Sequence, residues 1–205
     1  MYLVKTPFWL QLLYPGLTWH KERSKKIIYL TFDDGPIPVV TPFVLDTLKK
    51  FEAKATFFCI GDNIEKHSDI FKRLATEGHR IGNHTYNHLN GRNTDDDAYT
   101  ENFRRCQELT GTNLFRPPYG RIKRSQSRKL RAESSGLKII MWDVLSGDFD
   151  ASLSRQKCLD NVIWNTKNGS IIVFHDSLKA WPRLEFVLPR ALEYWKVKGF
   201  EFGIL

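Results

Sequence analysis

At 205 residues, with 41% apolar, 13% aromatic and 26% charged side chains, the chain has the length of one domain and the material for a sizeable core. That balance excludes an intrinsically disordered chain. The formal charge of +8 permits an anionic partner without requiring one, and with no nucleic-acid-binding motif beside it, no nucleic acid is expected as a ligand. Three widely spaced cysteines, Cys59, Cys106 and Cys158, form no CxxC pair, which excludes a disulfide framework and a cysteine zinc knot.

Residues 1–24 carry an apolar patch with one early cation, Lys5, broken by Pro7 and Pro15. They offer no small-residue cleavage site, and no run in the chain approaches the roughly 18 apolar residues of a membrane span. The segment is expected to pack on the rest of a single domain, 1–205, in a cytoplasmic protein. A weak association with a membrane surface is the sharper reading of the same patch. Further on, β-rich apolar runs at 27–32, 55–60, 80–84, 114–116, 137–143, 170–175 and 200–205 read as about seven strands. Helical patterns alternate with them. One opens at Thr41-Pro42, read as an N-cap followed by proline, and places Val44, Leu45, Leu48 and Phe51 on one face. Others cover 62–77, 95–110, 126–135, 154–167 and 184–198, four of them ending at a glycine: Gly78, Gly111, Gly136 and Gly199. The alternation predicts an α/β fold with parallel strands under helices, either an open sheet or a barrel. No glycine-rich phosphate loop follows the first strand. Polar residues cluster instead where strands end, the face on which barrels place their chemistry.

Asp33 and Asp34 follow the first strand directly. They read as a turn before Gly35-Pro36, or as two carboxylates with separate tasks, one on a metal and one free as a base. His84 and His88 are four apart, a spacing that on a helical turn sets both imidazoles on one side to chelate zinc. His79 is a third candidate, placed at the opposite strand end. Arg116-Pro117-Pro118-Tyr119-Gly120 is a stiffened turn. Its arginine reads as a surface cation or as an inward clamp on a carboxylate, and its Tyr119 N–H as a donor to an oxyanion. His175 closes a very apolar strand, where a carboxylate such as Asp148 would keep it protonated as an acid. The basic run from Arg121 to Arg131 reads as a solvated helix face, with attraction to an anionic polymer as the alternative. Trp142 and Trp181 are candidates for stacking on sugar rings.

In order along the chain stand Thr31-Phe32-Asp33-Asp34-Gly35, His84-Thr85-x-x-His88, Arg116-x-Pro118-Tyr119, Asp148-Phe149 and Val173-x-His175. Together they resemble the five motifs of the polysaccharide deacetylases, the NodB-homology domain of carbohydrate esterase family 4. The resemblance covers about residues 25–205. It implies a distorted (β/α) barrel and the metal-dependent removal of N-acetyl groups from an N-acetylated glycan such as peptidoglycan or chitin. Carried over residue by residue, it implies Asp34, His84 and His88 as ligands to one divalent ion, Zn2+ first, with Co2+ or Ni2+ as substitutes. Asp33 becomes the general base and Arg116 its orienting partner. The Tyr119 N–H becomes an oxyanion donor, His175 the acid and Asp148 its tuner. Val173, Trp142 and Phe149 become walls of the substrate site. The fourth motif departs from the family pattern, with Leu145 at a position often aspartate and Phe149 where tryptophan is common, which bears on substrate preference. Two other functions stand beside this one: an amidohydrolase of a small C–N substrate, and a glycan-binding protein without turnover.

Overall fold

A computed structural model describes residues 2–205. Its centre is strand β1 (Ile27–Asp33), paired in parallel with strand β7 (Ile171–His175) along Tyr29–Asp33. Both strands are nearly continuous apolar runs because both faces are covered, as is usual for parallel strands. The alternation of side chains divides their tasks. Ile28, Leu30 and Phe32 join Ile172 and Phe174 in the main core under helix α2 (Val40–Lys50) and helix α8 (Trp181–Val197). Phe32 stacks between Phe57 and Phe174 at centroid distances of 5.1 and 5.7 Å. The opposite face carries Tyr29, Thr31 and Asp33, so that Asp33 falls on the inner side of the curved sheet.

The remaining strands are β2 (Thr56–Cys59), β3 (Arg80–Asn83), β4 (Leu114–Phe115), β5 (Lys138–Ile139), β6 (Val144–Leu145) and β8 (Glu201–Gly203). Their order is β5-β4-β3-β2-β1-β7-β6, all pairings are parallel, and β8 sits beside the first half of β1. The result is the expected α/β architecture, as a curled half-barrel. The helices between the strands are α3 (Gly61–Lys66), α4 (Ser68–Thr76), α5 (Asp96–Thr110), α6 (Arg124–Glu133) and α7 (Arg155–Asn165).

Four local expectations are corrected. The strand expected at 137–143 is two short strands, β5 and β6, which brings the count to eight. Between them the carbonyls of Ile140 and Met141 turn to the Arg116 guanidinium, and the N-terminal segment enters the gap. There Met141 N–H donates to the Thr18 carbonyl, Leu145 N–H to that of Val4, and Thr6 N–H to that of Asp143. A short helix, α1 (Phe8–Leu13), also lies in this segment and was not foreseen. The helix expected over 62–77 breaks at His67, whose φ of −132° and ψ of 50° are not helical. Thr41 is not the cap of α2: Val39 holds that position, and the Thr41 hydroxyl instead accepts the Ile37 N–H and donates to Asp176. Among the described residues, no helix is long and apolar enough to cross a membrane. The three cysteines are free and buried.

Candidate active site

Asp33 is the last residue of β1 and is almost fully buried. Its Oδ1 accepts a bond from Arg116 Nη1 at 2.7 Å. Arg116 is 0% exposed, and each of its three nitrogens has a partner: Nη1 also donates to the Thr31 hydroxyl, Nε to the Ile140 carbonyl and Nη2 to the Met141 carbonyl. Its guanidinium carbon lies 4.2 Å from the centroid of Phe58. The arginine thus points inward onto a carboxylate, and five contacts fix the orientation of that carboxylate from behind.

Asp34 lies just past the strand at φ 87°, so the change of backbone conformation, in addition to strand alternation, sends the two neighbouring carboxylates to different places. His84 and His88 follow β3 in a loop and not on a helical turn. Thr85 and His88 stand at φ 64° and 56°, in the left-handed region. Side chains tie this loop down: the Asn83 carboxamide oxygen accepts the Thr85 N–H, and Asn102 of α5 accepts the N–H groups of Tyr86 and Asn87. His84 Nδ1–H donates to the Arg116 carbonyl at 2.7 Å, which leaves Nε2 as the free lone pair facing Asp34. Burial, then the neighbouring His88, holds the His84 pKa well below its ordinary value, and burial lowers that of His88.

The ligand-type atoms of Asp34, His84 and His88 lie within 4.8 Å of one another. Asp34 Oδ1 stands 3.3 Å from His88 Nε2 and 3.8 Å from His84 Nε2. Donors about 2.0–2.1 Å from one tetrahedral centre stand roughly 3.3 Å apart. Asp34 Oδ1 is also buried without a hydrogen-bond partner, an arrangement that costs free energy unless a cation or donor meets it. The set therefore fits a divalent ion. His79 takes no part: it sits at the far end of the strand, where its Nδ1 accepts the Ala55 N–H and burial lowers its pKa to about 4.

His175 ends β7 on the same rung as Asp33. Its Nδ1 lies 2.7 Å from Asp148 Oδ1, and its backbone N–H donates to Asp148 Oδ2 at 2.7 Å. Asp148 is fully buried, and Arg183 of α8 donates to its backbone carbonyl. Burial by itself would lower the His175 pKa. The charge and hydrogen bond of Asp148, joined by Asp34 and Asp33, outweigh burial and raise it to about 9. An imidazole whose charged form is favoured thus stands beside the Asp33 carboxylate.

The next residue, Asp176, had no role in the sequence reading, yet it shapes the turn. It accepts the Gly35 N–H at 3.0 Å and the Thr41 hydroxyl at 2.5 Å. A Cβ on Gly35 would fall 1.9 Å from Asp176 Oδ2. Gly35→Ala is therefore expected to cost about 1–3 kcal/mol in thermal unfolding, together with most of the catalytic activity, since the displaced turn carries both Asp33 and Asp34. A variant as stable and as active as the parent would refute this.

Asp33, Asp34, His84, His88 and His175 line one cavity of about 460 Å³, with Val173 and Leu145 among its apolar residues and Trp142 and Phe149 at its sides. Tyr119 stands at the rim at φ 58°, its ring 4.6 Å from that of His88. The turn's own hydrogen bonds come from Gly120 and Arg121, so the Tyr119 N–H is not spent on them. Trp181 is not here: it packs edge-on against Phe43. Two partners escaped the sequence. Tyr2 packs on Phe149 at 5.1 Å, and the Asn63 carboxamide donates to the Asp34 carbonyl at 2.7 Å. Neither lies in a motif, and only the fold brings them in.

A parallel half-barrel whose strand ends join an Asp–His–His cluster to a further carboxylate and imidazole is an arrangement suited to a hydrolase of carbon–nitrogen bonds. A family profile described as polysaccharide deacetylase matches residues 20–139. A peptidoglycan-N-acetylglucosamine deacetylase of Bacillus cereus is 33% identical over 192 residues, 91% of this chain and 89% of that protein. A chitooligosaccharide deacetylase of Azorhizobium caulinodans is 32% identical, over 86% of this chain and 82% of its own. Among solved structures, a peptidoglycan N-acetylglucosamine deacetylase in complex with 4-naphthalen-1-yl-N-oxidanyl-benzamide superimposes with a TM-score of 0.88 at 33% identity. It covers 98% of this chain and 95% of its own. The chain belongs to the polysaccharide deacetylases of carbohydrate esterase family 4 and is a polysaccharide N-deacetylase.

Proposed function

We propose that this protein uses one divalent ion, zinc, to hydrolyse the acetamide of N-acetylglucosamine units in a peptidoglycan-type glycan. The names of the similar Bacillus cereus protein and of the superimposed solved structure support that sugar. The observation that carries the chemistry is the convergence of Asp34, His84 and His88 beside an Arg116-clamped Asp33 and an Asp148-bound His175. Asp34, His84 and His88 would hold the ion, which when bound polarises the acetyl carbonyl and acidifies water.

Asp33 accepts the proton of the attacking water, oriented by Arg116. The Tyr119 N–H donates to the oxygen on which negative charge develops, a contact typically worth about 10²–10³-fold in rate. His175 protonates the nitrogen as the C–N bond breaks, so that the amine leaves neutral. Val173 borders the methyl of the acetyl group, and Trp142 and Phe149 flank the sugar. Leu145 and Phe149, both at the cavity, stand where the family often has aspartate and tryptophan, a change of wall that bears on substrate preference and spares the chemistry.

Chelation is expected to abolish acetate release from N-acetylglucosamine oligomers, and added Zn2+ to restore it. Independently of turnover, Zn2+ at about 100 times its Kd adds about 2.7 kcal/mol of stability. The rise in melting temperature that follows disappears in His84→Ala and His88→Ala. Full activity in chelator, or an undiminished zinc shift in those variants, would overturn the assignment.

A further inference from the structure

Past Tyr119, Gly120 and Trp142 the cavity opens into a larger groove of about 740 Å³. One wall is the N-terminal segment, with Leu3, Leu10, Tyr14 and Leu17. The other is α6 and its lead-in, where Arg124, Arg128 and Arg131 recur at four- and three-residue steps along one helical face and Arg121 precedes them on the extended lead-in. Arg92 and Lys123 add two more cations, and among the described residues no carboxylate lines the groove. Arg131 and Lys123 are tied to backbone carbonyls, those of Gly16 and Thr94. Arg121, Arg124 and Arg128 are exposed and make no ion pair among the described residues. Like charges along one helix face repel, so such a stripe favours an anionic partner.

Beside the groove lies α1, Phe-Trp-Leu-Gln-Leu-Leu, a helix with five apolar side chains of six and no buried residue. Phe8, Trp9, Leu12 and Leu13 are 57–72% exposed. A contiguous patch of this kind marks an interaction surface. A soluble anionic glycan would satisfy the arginines and leave α1 in water. An anionic bilayer satisfies both, since apolar side chains enter the headgroup–acyl boundary while arginines meet lipid phosphates.

We propose that α1 and the arginine stripe form a docking surface for an anionic membrane, which sets the mouth of the catalytic cavity at the level of the lipid headgroups. The partner is chosen by charge complementarity and by the apolar face, independently of which sugar the site hydrolyses.

The test is co-sedimentation of the full chain with phosphatidylcholine vesicles, with and without phosphatidylglycerol. Binding is expected to the anionic vesicles alone, to weaken at high salt, and to bring a blue shift of tryptophan emission that Trp9→Phe removes. Arg124→Gln with Arg128→Gln is expected to weaken binding by roughly 10- to 30-fold, and Leu12→Asp with Leu13→Asp to abolish it. Both double variants should keep the parental melting temperature and rate on soluble N-acetylglucosamine oligomers, because none of these residues lines the catalytic cavity. A protein that fails to deacetylate would sink the functional reading and leave this one standing. The docking surface is refuted by equal binding to both vesicle types, or by binding to neither. Displacement by inorganic phosphate at constant ionic strength refutes it by assigning the arginines to a small phosphate ligand. A dimer that Leu12→Asp dissociates refutes it by assigning α1 to a second copy of the chain.

Discussion

Asp33→Asn is expected to lower the rate of acetate release by about 10²–10⁴-fold and to destabilise the protein at the same time. The two losses share one cause. Arg116 is 0% exposed, and Asp33 is the only carboxylate it touches among the described residues. The Thr31 hydroxyl and the carbonyls of Ile140 and Met141 satisfy its N–H groups but not its charge. Removing one partner of a buried ion pair costs about 3–5 kcal/mol, because the survivor stays desolvated. Asp34→Asn separates the roles. It too should abolish turnover, but among the described residues Asp34 has no arginine partner and its Oδ1 already lacks a hydrogen bond, so thermal stability without added metal should change little. Denaturant unfolding of both variants, beside acetate release, checks the pair. An Asp33→Asn protein as stable as the parent would show that Arg116 is not held by this carboxylate. One that is also fully active would remove Asp33 from the base role.

How much of this was legible beforehand follows from the range of each interaction. The alternation of strands and helices fixes layers and parallel pairing, because burial on both faces writes long apolar runs such as 27–32 and 171–174. Strand alternation also separates Asp33 from Asp34. Short-range backbone detail was less legible. Thr41-Pro42 carries every mark of a helix start, but the hydroxyl is claimed by Asp176, 135 positions away. The spacing of His84 and His88 suggested a helical turn, and Asn83 and Asn102 bend the loop otherwise through contacts no local rule contains. The split of 137–143 into two strands has the same origin: Arg116 takes two carbonyls that a regular ladder would use. The motif residues were readable because chemistry restricts their type. Tyr2, Asn63 and Asp176 were not, since a tyrosine, an asparagine or an aspartate at those positions has many ordinary uses. Only tertiary packing sets them around the site.

The proposed proton donor, His175, gives the second large effect. Asp148→Asn is expected to move the alkaline limb of the kcat profile from near pH 9 to well below it, and to cut the rate at pH 8 by about 10²-fold. Burial pulls the His175 ring toward its neutral form. The Asp148 charge and the 2.7 Å bond to Nδ1 overcome that pull, with smaller help from Asp34 and Asp33, and bring the pKa from its ordinary 6.5 to about 9. The ring is therefore charged, and able to donate, below about pH 9, and it loses that capacity as pH rises through this value. Asparagine keeps an acceptor for Nδ1–H but not the charge, so burial regains control and the ring is neutral at pH 8. Stability follows the same sign. A raised folded-state pKa stabilises the fold fully below the unfolded value near 6.5 and is lost as pH rises through about 9. Asp148→Asn should then flatten the fall in stability between these two values, measured by denaturant unfolding at each pH. His175→Ala supplies the limiting case, with the low rate retained and the alkaline limb gone. An alkaline limb that stays in place in Asp148→Asn would mean that another group delivers the proton to the departing amine, because among the described residues Asp148 alone bonds to the ring at Nδ1.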